Sequence, residues 1–221
     1  MCIRDRMGPD TVVVTLQNGM GNAEEIARII PADRIYVGLC FICAMRAEPG
    51  HVNHLEGGNI QFAPFVPSPE GSEKARELSE LFANAGIKTR AFDVAEQIQW
   101  YKLVWNIPFN GLCLALGGIS IAELYQNPEN VARARRIMEE VVRAAKARGY
   151  TLPDDLVEFH LSRTESMGSF IPSSAVDYNE GRPVEYTAIW GDPLSKARQA
   201  GTSVPEWELL DKDIRKRLNM D

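Results

Sequence analysis

Between residues 100 and 112 the chain is strongly apolar, yet Lys102, Asn106 and Asn110 interrupt it at a strict four-residue spacing. On a helix, residues four apart stand one above another, so an ammonium and two carboxamides form one polar stripe on a greasy cylinder. Buried against hydrocarbon, such groups would cost roughly 1 to 3 kcal/mol each when unpaired, and more for the charge. The stripe therefore requires a wet cleft, a ligand, or a polar network from another segment.

The rest of the composition narrows the class. The chain has 221 residues, 45% hydrophobic and 24% charged, enough for one large domain or two modest ones. Its formal net charge is −6, with 24 basic residues scattered among 30 acidic ones, which argues against a nucleic-acid or anionic-membrane surface. Every apolar stretch is interrupted before the roughly 18 to 20 residues needed to span a bilayer. The start, Met1-Cys2-Ile3-Arg4-Asp5-Arg6, is too polar for a secretory signal, so a cytoplasmic location is expected.

Cys2, Cys40, Cys43 and Cys113 do not form a disulfide framework pattern. Cys40 and Cys43 have C-x-x-C spacing but sit in an expected strand, where residues three apart face opposite ways, so small core residues are expected. His51 and His54 lie in a glycine-rich stretch without a partner motif, and no metal site is expected.

Before residue 93 the pattern alternates strands and helices. Residues 11–16 read as a buried strand running into the turn Gln17-Asn18-Gly19-Met20-Gly21-Asn22, with a helix over 23–30. Residues 34–45 form a second strand candidate. Residues 51–55 and 59–63 read as an antiparallel pair around Glu56-Gly57-Gly58, followed by a helix over 72–85 and a short strand at 87–89. After residue 93 the pattern is helical throughout: 94–116 with Pro108 in its interior, 130–148, a helix starting near 154, two helices over 173–190 broken at Gly181-Arg182-Pro183, and 205–218. The expected domains are 1–92 and 93–221.

The turn at residues 18–22 is a weak signal by itself. It departs from G-x-G-x-x-G because Glu24 stands at the third glycine position, where a carboxylate repels a pyrophosphate. In combination the pieces are specific. The series Gln17-Asn18-Gly19-Met20-Gly21-Asn22, Pro49-Gly50-His51-Val52-Asn53-His54, Lys102-x-x-x-Asn106-x-x-x-Asn110 followed by Gly111-Leu112, and Ser173-x-x-x-Asp177 before Arg182 and Glu185 closely resembles the ketopantoate reductase (2-dehydropantoate 2-reductase) family from about Thr11 to the C-terminus.

That resemblance implies an α/β remnant of a Rossmann-type dinucleotide-binding domain over 1–92, then an all-α substrate and catalytic domain of the 6-phosphogluconate dehydrogenase-like kind over 93–221. It implies NADPH-dependent reduction of 2-dehydropantoate to pantoate, in pantothenate and coenzyme A biosynthesis. Lys102 is then the general acid, and Glu185 positions Lys102 and binds the substrate hydroxyl. Asn106, Asn110 and Ser173 bind substrate, and Asn18 contacts the cofactor near its nicotinamide. A small-molecule 2-keto acid is the expected partner, with a homodimer as the expected assembly. Family members begin with a strand, a G-x-G-x-x-G turn and a helix, which are not found before Thr11. About 80 residues, at about 30 per βαβ unit, are expected to be missing, with Met1 to Arg6 as an adapter-like remnant and reduction impaired.

Bland readings stand beside each assignment. A lone helix lysine is commonly solvent-exposed and inert, and Asn106 and Asn110 can satisfy a neighbouring backbone. Ser173 can be a helix N-cap, and Arg182 and Glu185 a surface pair worth under about 1 kcal/mol. The competing functions are a reductase of another 2-keto or 3-hydroxy acid, and a non-catalytic helical dimerisation or binding fragment.

Overall fold

The computed structural model describes residues 3–220, which divide into two compact units, 1–99 and 100–221. In the first, the β-branched run around Val13 forms β1 (Val13–Thr15), which pairs in parallel with β2 (Ile35–Glu48). β2 pairs antiparallel with β3 (His51–Pro64), and β3 in parallel with β4 (Thr89–Ala91), giving one sheet in the order β1-β2-β3-β4. Side-chain alternation along β2 serves both faces. Ile35, Val37 and Leu39 join Ala23 and Ile26 of α1 (Asn22–Ala27) and Ala95 and Ile98 of the later helix α3 (Ala95–Ala115). Tyr36 on the opposite face joins Phe62 of β3 and Ala75, Leu78 and Phe82 of α2 (Pro69–Asn84). Ser68 caps α2 by accepting from the Gly71 N–H at 2.9 Å. Helices thus cover both faces of a mixed sheet, a Rossmann-like unit.

The expected antiparallel pair around Glu56-Gly57-Gly58 is not a hairpin. Residues 51–64 are one strand, and the turn lies at Pro49-Gly50 instead. Gly57 (φ 80°) and Gly58 (φ 117°) form a bulge where the register shifts between Phe41 and Ile42. A Cβ on Gly57 would stand 2.3 Å from the Phe41 carbonyl oxygen, so the glycines allow β3 to continue rather than turn back. Cys40 and Cys43 lie half-buried in β2 outside any disulfide, Cys40 packing against the Tyr36–Phe62 cluster as a small core residue; Cys113 is buried, and Cys2 lies outside the described residues. Ile3–Arg6, part of the stretch expected to be an adapter-like remnant, forms a short 3₁₀ turn.

The second unit is helical among its described residues. α3 starts in the first unit and runs unbroken through Pro108. It is followed by α4 (Ile121–Tyr125), α5 (Pro128–Ala147), α6 (Leu156–Glu165) and α7 (Ser173–Asn179). A π-helical turn, Thr187–Gly191, leads into α8 (Asp192–Gln199), and α9 (Pro205–Arg217) closes the chain. α5 is central because Ala134, Ile137, Met138, Val141, Ala144 and Ala145 form one buried stripe at helical spacing. On the same helix Glu140, 3% exposed, accepts from the Glu206 and Trp207 N–H groups at 3.1 and 2.8 Å and so caps α9 from outside. Burial is the leading influence on this carboxyl and holds its pKa above the usual value.

Candidate functional site

α3 brings Lys102, Asn106 and Asn110 to successive turns of one helix, as the spacing requires. Lys102 is half-buried, whereas Asn106 and Asn110 are 4% and 2% exposed. Two buried carboxamides on an apolar helix need partners, and the partner of Asn110 is α7. Its Oδ1 accepts from the Ser174 N–H at 3.1 Å and from the Ser173 hydroxyl at 3.4 Å.

This pair corrects the N-cap alternative for Ser173. Pro172 occupies the cap position, offers no side-chain bond, and Asn110 supplies the acceptor instead. Ser173 itself is exposed, with its hydroxyl turned to Asn110. Asn110 therefore does the backbone-satisfying work weighed for it. With Oδ1 committed, Nδ2 is the part of this side chain that can donate to a ligand. The far end of α7 is tied as well, since Asn179 Nδ2 donates to the Gly118 carbonyl at 2.8 Å. Gly118 is at φ 82°, and a Cβ there would stand 1.9 Å from Asn179 Oδ1. The Gly117-Gly118 turn thus gives α7 an anchor on the end of α3.

Glu185 is exposed and lies just ahead of the π-helical turn, its carbonyl accepting from the Ile189 N–H at 3.1 Å. Arg182, weighed as its surface partner, pairs with Asp177 at 2.7 Å and with Glu180. π-helical turns are rare and concentrate at functional sites. Here the turn presents Trp190 to α3, where its indole N–H donates to the Ile107 carbonyl at 3.0 Å. Tyr186, beside Glu185, donates its hydroxyl proton to Asp211 of α9 at 2.5 Å.

Trp190, Tyr186 and Asp211 were not singled out by sequence reasoning. The available signal was the Asp211-x-x-x-Arg215 spacing, which puts an acid and a base on one face of α9, but which aromatic they would meet depended on tertiary packing.

Asn18 belongs to the first unit, in the turn after β1. Gly19 (φ 81°) and Gly21 (φ 85°) adopt left-handed backbone there. The turn is held by Gln99 Nε2 donating to the Gly19 carbonyl at 3.1 Å and Asn22 Nδ2 to the Asn18 carbonyl at 2.9 Å. Glycines at both positions keep Cβ atoms out of this braced turn. The turn does not fit a pyrophosphate, because α1 is a single short helix with Glu24 and Glu25 in its first turn. Among the described residues no group of three or more metal-ligating side chains is present. Burial pushes the Cys113 thiol up to about 12, which makes it inert rather than nucleophilic.

Comparison with known proteins gives a consistent family. The model for the C-terminal region of ketopantoate reductase PanE/ApbA matches residues 94–216, and the ketopantoate reductase PanE/ApbA model matches residues 2–67. A 2-dehydropantoate 2-reductase from Nostoc sp. is 35% identical over 204 residues, covering 91% of this chain; the chain spans 64% of that relative's length. The crystal structure of 2-dehydropantoate 2-reductase from Geobacter metallireducens superimposes with a TM-score of 0.87 at 37% identity, over 93% of this chain and 68% of that one. D-mandelate dehydrogenase, in a ternary structure with NADH and anilino(oxo)acetate, shares the fold with a TM-score of 0.85 at 23% identity, over 98% of this chain and 71% of that one.

Proposed function

Because the chain belongs to the ketopantoate reductase family, we propose that it carries the substrate half of a reductase that converts 2-dehydropantoate to pantoate with NADPH, in the cytoplasm, as a step of pantothenate and coenzyme A biosynthesis. The observation that carries this reading is the polar stripe of α3, with Asn110 fastened to the first turn of α7 beside Ser173. Residues 1–92 are assigned to the dinucleotide-binding domain and 93–221 to the substrate domain.

NADPH, when bound, supplies the hydride that the keto carbon must gain. The chain's residues do the remainder. Lys102 Nζ hydrogen-bonds the keto oxygen, stabilises the negative charge growing there and gives it a proton, which Lys102 recovers from water. Glu185 orients Lys102 and accepts a hydrogen bond from the substrate hydroxyl. Asn106 and the Nδ2 of Asn110 donate to the substrate, and the Ser173 hydroxyl meets its carboxylate. The strict spacing supports this division of labour, since three groups on one rigid helix keep their mutual distances without ordering a loop. Asn18 contacts the cofactor near the nicotinamide, a role supported by its place in a glycine turn braced by Gln99.

The testing experiment is steady-state oxidation of NADPH and of NADH by the protein expressed from its complete gene, with 2-dehydropantoate and a panel of other 2-keto and 3-hydroxy acids. We expect 2-dehydropantoate to have the highest kcat/KM. A different keto acid favoured by more than about tenfold would replace the substrate but keep the reaction class. The fold shared with D-mandelate dehydrogenase supports retaining that second reading. Calorimetric titration of the 221-residue chain with pantoate addresses the third, a non-catalytic helical fragment. Absence of pantoate binding, together with absence of turnover by the complete protein, would favour it.

A further inference from the structure

Glu185 is exposed, yet its immediate neighbour is among the most constrained side chains of the second unit. The Tyr186 hydroxyl donates to Asp211 Oδ1 at 2.5 Å and lies 3.4 Å from Arg215 Nη1. The Arg215 guanidinium also sits over the Tyr186 ring, 5.8 Å from its centroid. One helical turn further, Trp190 packs 6.3 Å from Tyr186, centroid to centroid, and donates to the Ile107 carbonyl of α3. α9 completes the frame, because a Cβ on Gly111 of α3 would stand 2.7 Å from Leu210, 2.9 Å from Trp190 Nε1 and 3.2 Å from Ile214.

From this geometry we propose that Tyr186 and Asp211 are positioning residues, which fix where the Glu185 carboxylate stands relative to the Lys102-Asn106-Asn110 stripe and so set the preference for a keto acid bearing a hydroxyl group. The inference rests on the role proposed for Glu185. Its physical basis is that the segment carrying Glu185 has two fixed points. One is on α3 through Trp190, the helix that carries the stripe. The other is on α9 through the Tyr186 hydroxyl, a phenol-to-carboxylate bond of the short, charge-assisted kind. Removing the second point leaves the Tyr186 ring contacts with Arg215 and Trp190 in place but releases the short bond that fixes the height of Tyr186 on α9, and the adjoining Glu185 carboxylate shifts with it. A dislocation of about 1 Å is enough to weaken recognition of a single hydroxyl.

The test compares 2-dehydropantoate with 2-oxo-3,3-dimethylbutanoate, which has the same carbon skeleton without the hydroxyl, as substrates of the protein expressed from its complete gene. The readout is the ratio of the two kcat/KM values, measured alongside Tm. Tyr186→Phe keeps the ring contacts and removes only the hydroxyl, and Asp211→Ala removes its acceptor. Each should lower the preference for the hydroxylated substrate about tenfold, as Glu185→Gln does or exceeds. Asp211→Asn, which retains a carbonyl oxygen to accept from Tyr186, should stay within about twofold of the unsubstituted protein. A purely structural role would lower Tm and leave the ratio alone, which overturns the proposal. If Glu185→Gln abolishes the preference while Tyr186→Phe and Asp211→Ala both retain it, the positioning role falls and the reading of Glu185 stands. If Glu185→Gln itself leaves the preference intact, the reading of Glu185 falls and the positioning role with it.

Discussion

At the scale of single residues, the stripe on α3 separates into members with different work. Lys102 is half-buried and carries the proposed proton transfer, so Lys102→Ala should lower kcat by about 10² to 10⁴-fold with a smaller change in KM. Steady-state kinetics on the complete protein checks this, and unchanged kcat would remove Lys102 from the mechanism. Asn110 has a second duty at the head of α7. Asn110→Ala leaves the buried Ser174 N–H without its acceptor, which should cost about 1 to 3 kcal/mol by urea denaturation, apart from any loss of substrate binding. The four-residue spacing announced a polar counterpart for these side chains, and α7 is one. That the counterpart would be the backbone of Ser174 was beyond the sequence, which offered Ser173 as an N-cap instead.

At the scale of elements, α9 is held by several contacts that share no residue with the stripe. Glu140 caps its N-terminus, Arg133 and Arg136 of α5 pair with Glu206 at 3.5 and 2.8 Å, and Gly111 of α3 makes room for Leu210 and Ile214. The ion pairs are partly exposed and contribute little. The close approach at Gly111 is different, because a methyl group there meets packed side chains rather than solvent. Gly111→Ala should destabilise the protein by about 1 to 3 kcal/mol, seen as a lower urea midpoint with an unchanged m-value. Equal stability would mean that Leu210 and Trp190 yield more readily than their burial suggests. Helix positions such as α2, α3, α5 and α9 were legible from periodicity. The run through Glu56-Gly57-Gly58 was not, because the same glycines serve a turn or a bulge and only the pairing partner on β2 distinguishes them.

At the scale of the whole molecule, one buried titratable group gives stability a pH dependence. His160 of α6 is 7% exposed, and burial first, then the nearby Arg163 charge, lowers its pKa from 6.5 to about 4 despite a hydrogen bond with the Tyr101 backbone. A depressed histidine pKa means that the folded state favours the neutral ring. Above pH 6.5 the ring is neutral in folded and unfolded chains, and its contribution is fully present. As pH falls from 6.5 toward 4, the unfolded chain binds a proton that the folded chain refuses, and stability drops by up to about 3 kcal/mol. Urea midpoints between pH 7 and pH 4 should fall less steeply in His160→Phe than in the unsubstituted protein, and equal slopes would exclude His160 as the source. Sedimentation of the complete protein tests the homodimer proposed from the family resemblance, with a monomer at micromolar concentration as the contrary result.

The sequence by itself determined the alternation of strands and helices before residue 93, the helical second half and the three-residue stripe, because periodicity and spacing act through the local geometry of a helix or strand and need no distant partner; the fold class came with the family resemblance that the spaced motifs carry. Tertiary structure alone decided who meets the stripe and what Tyr186, the neighbour of Glu185, meets. Ser174 lies 64 positions from Asn110, Trp190 lies 83 from Ile107, and Asp211 lies 25 from Tyr186. Contacts across such separations depend on how α3, α7 and α9 pack against one another, and packing is a property of filled volume that no short stretch of sequence contains.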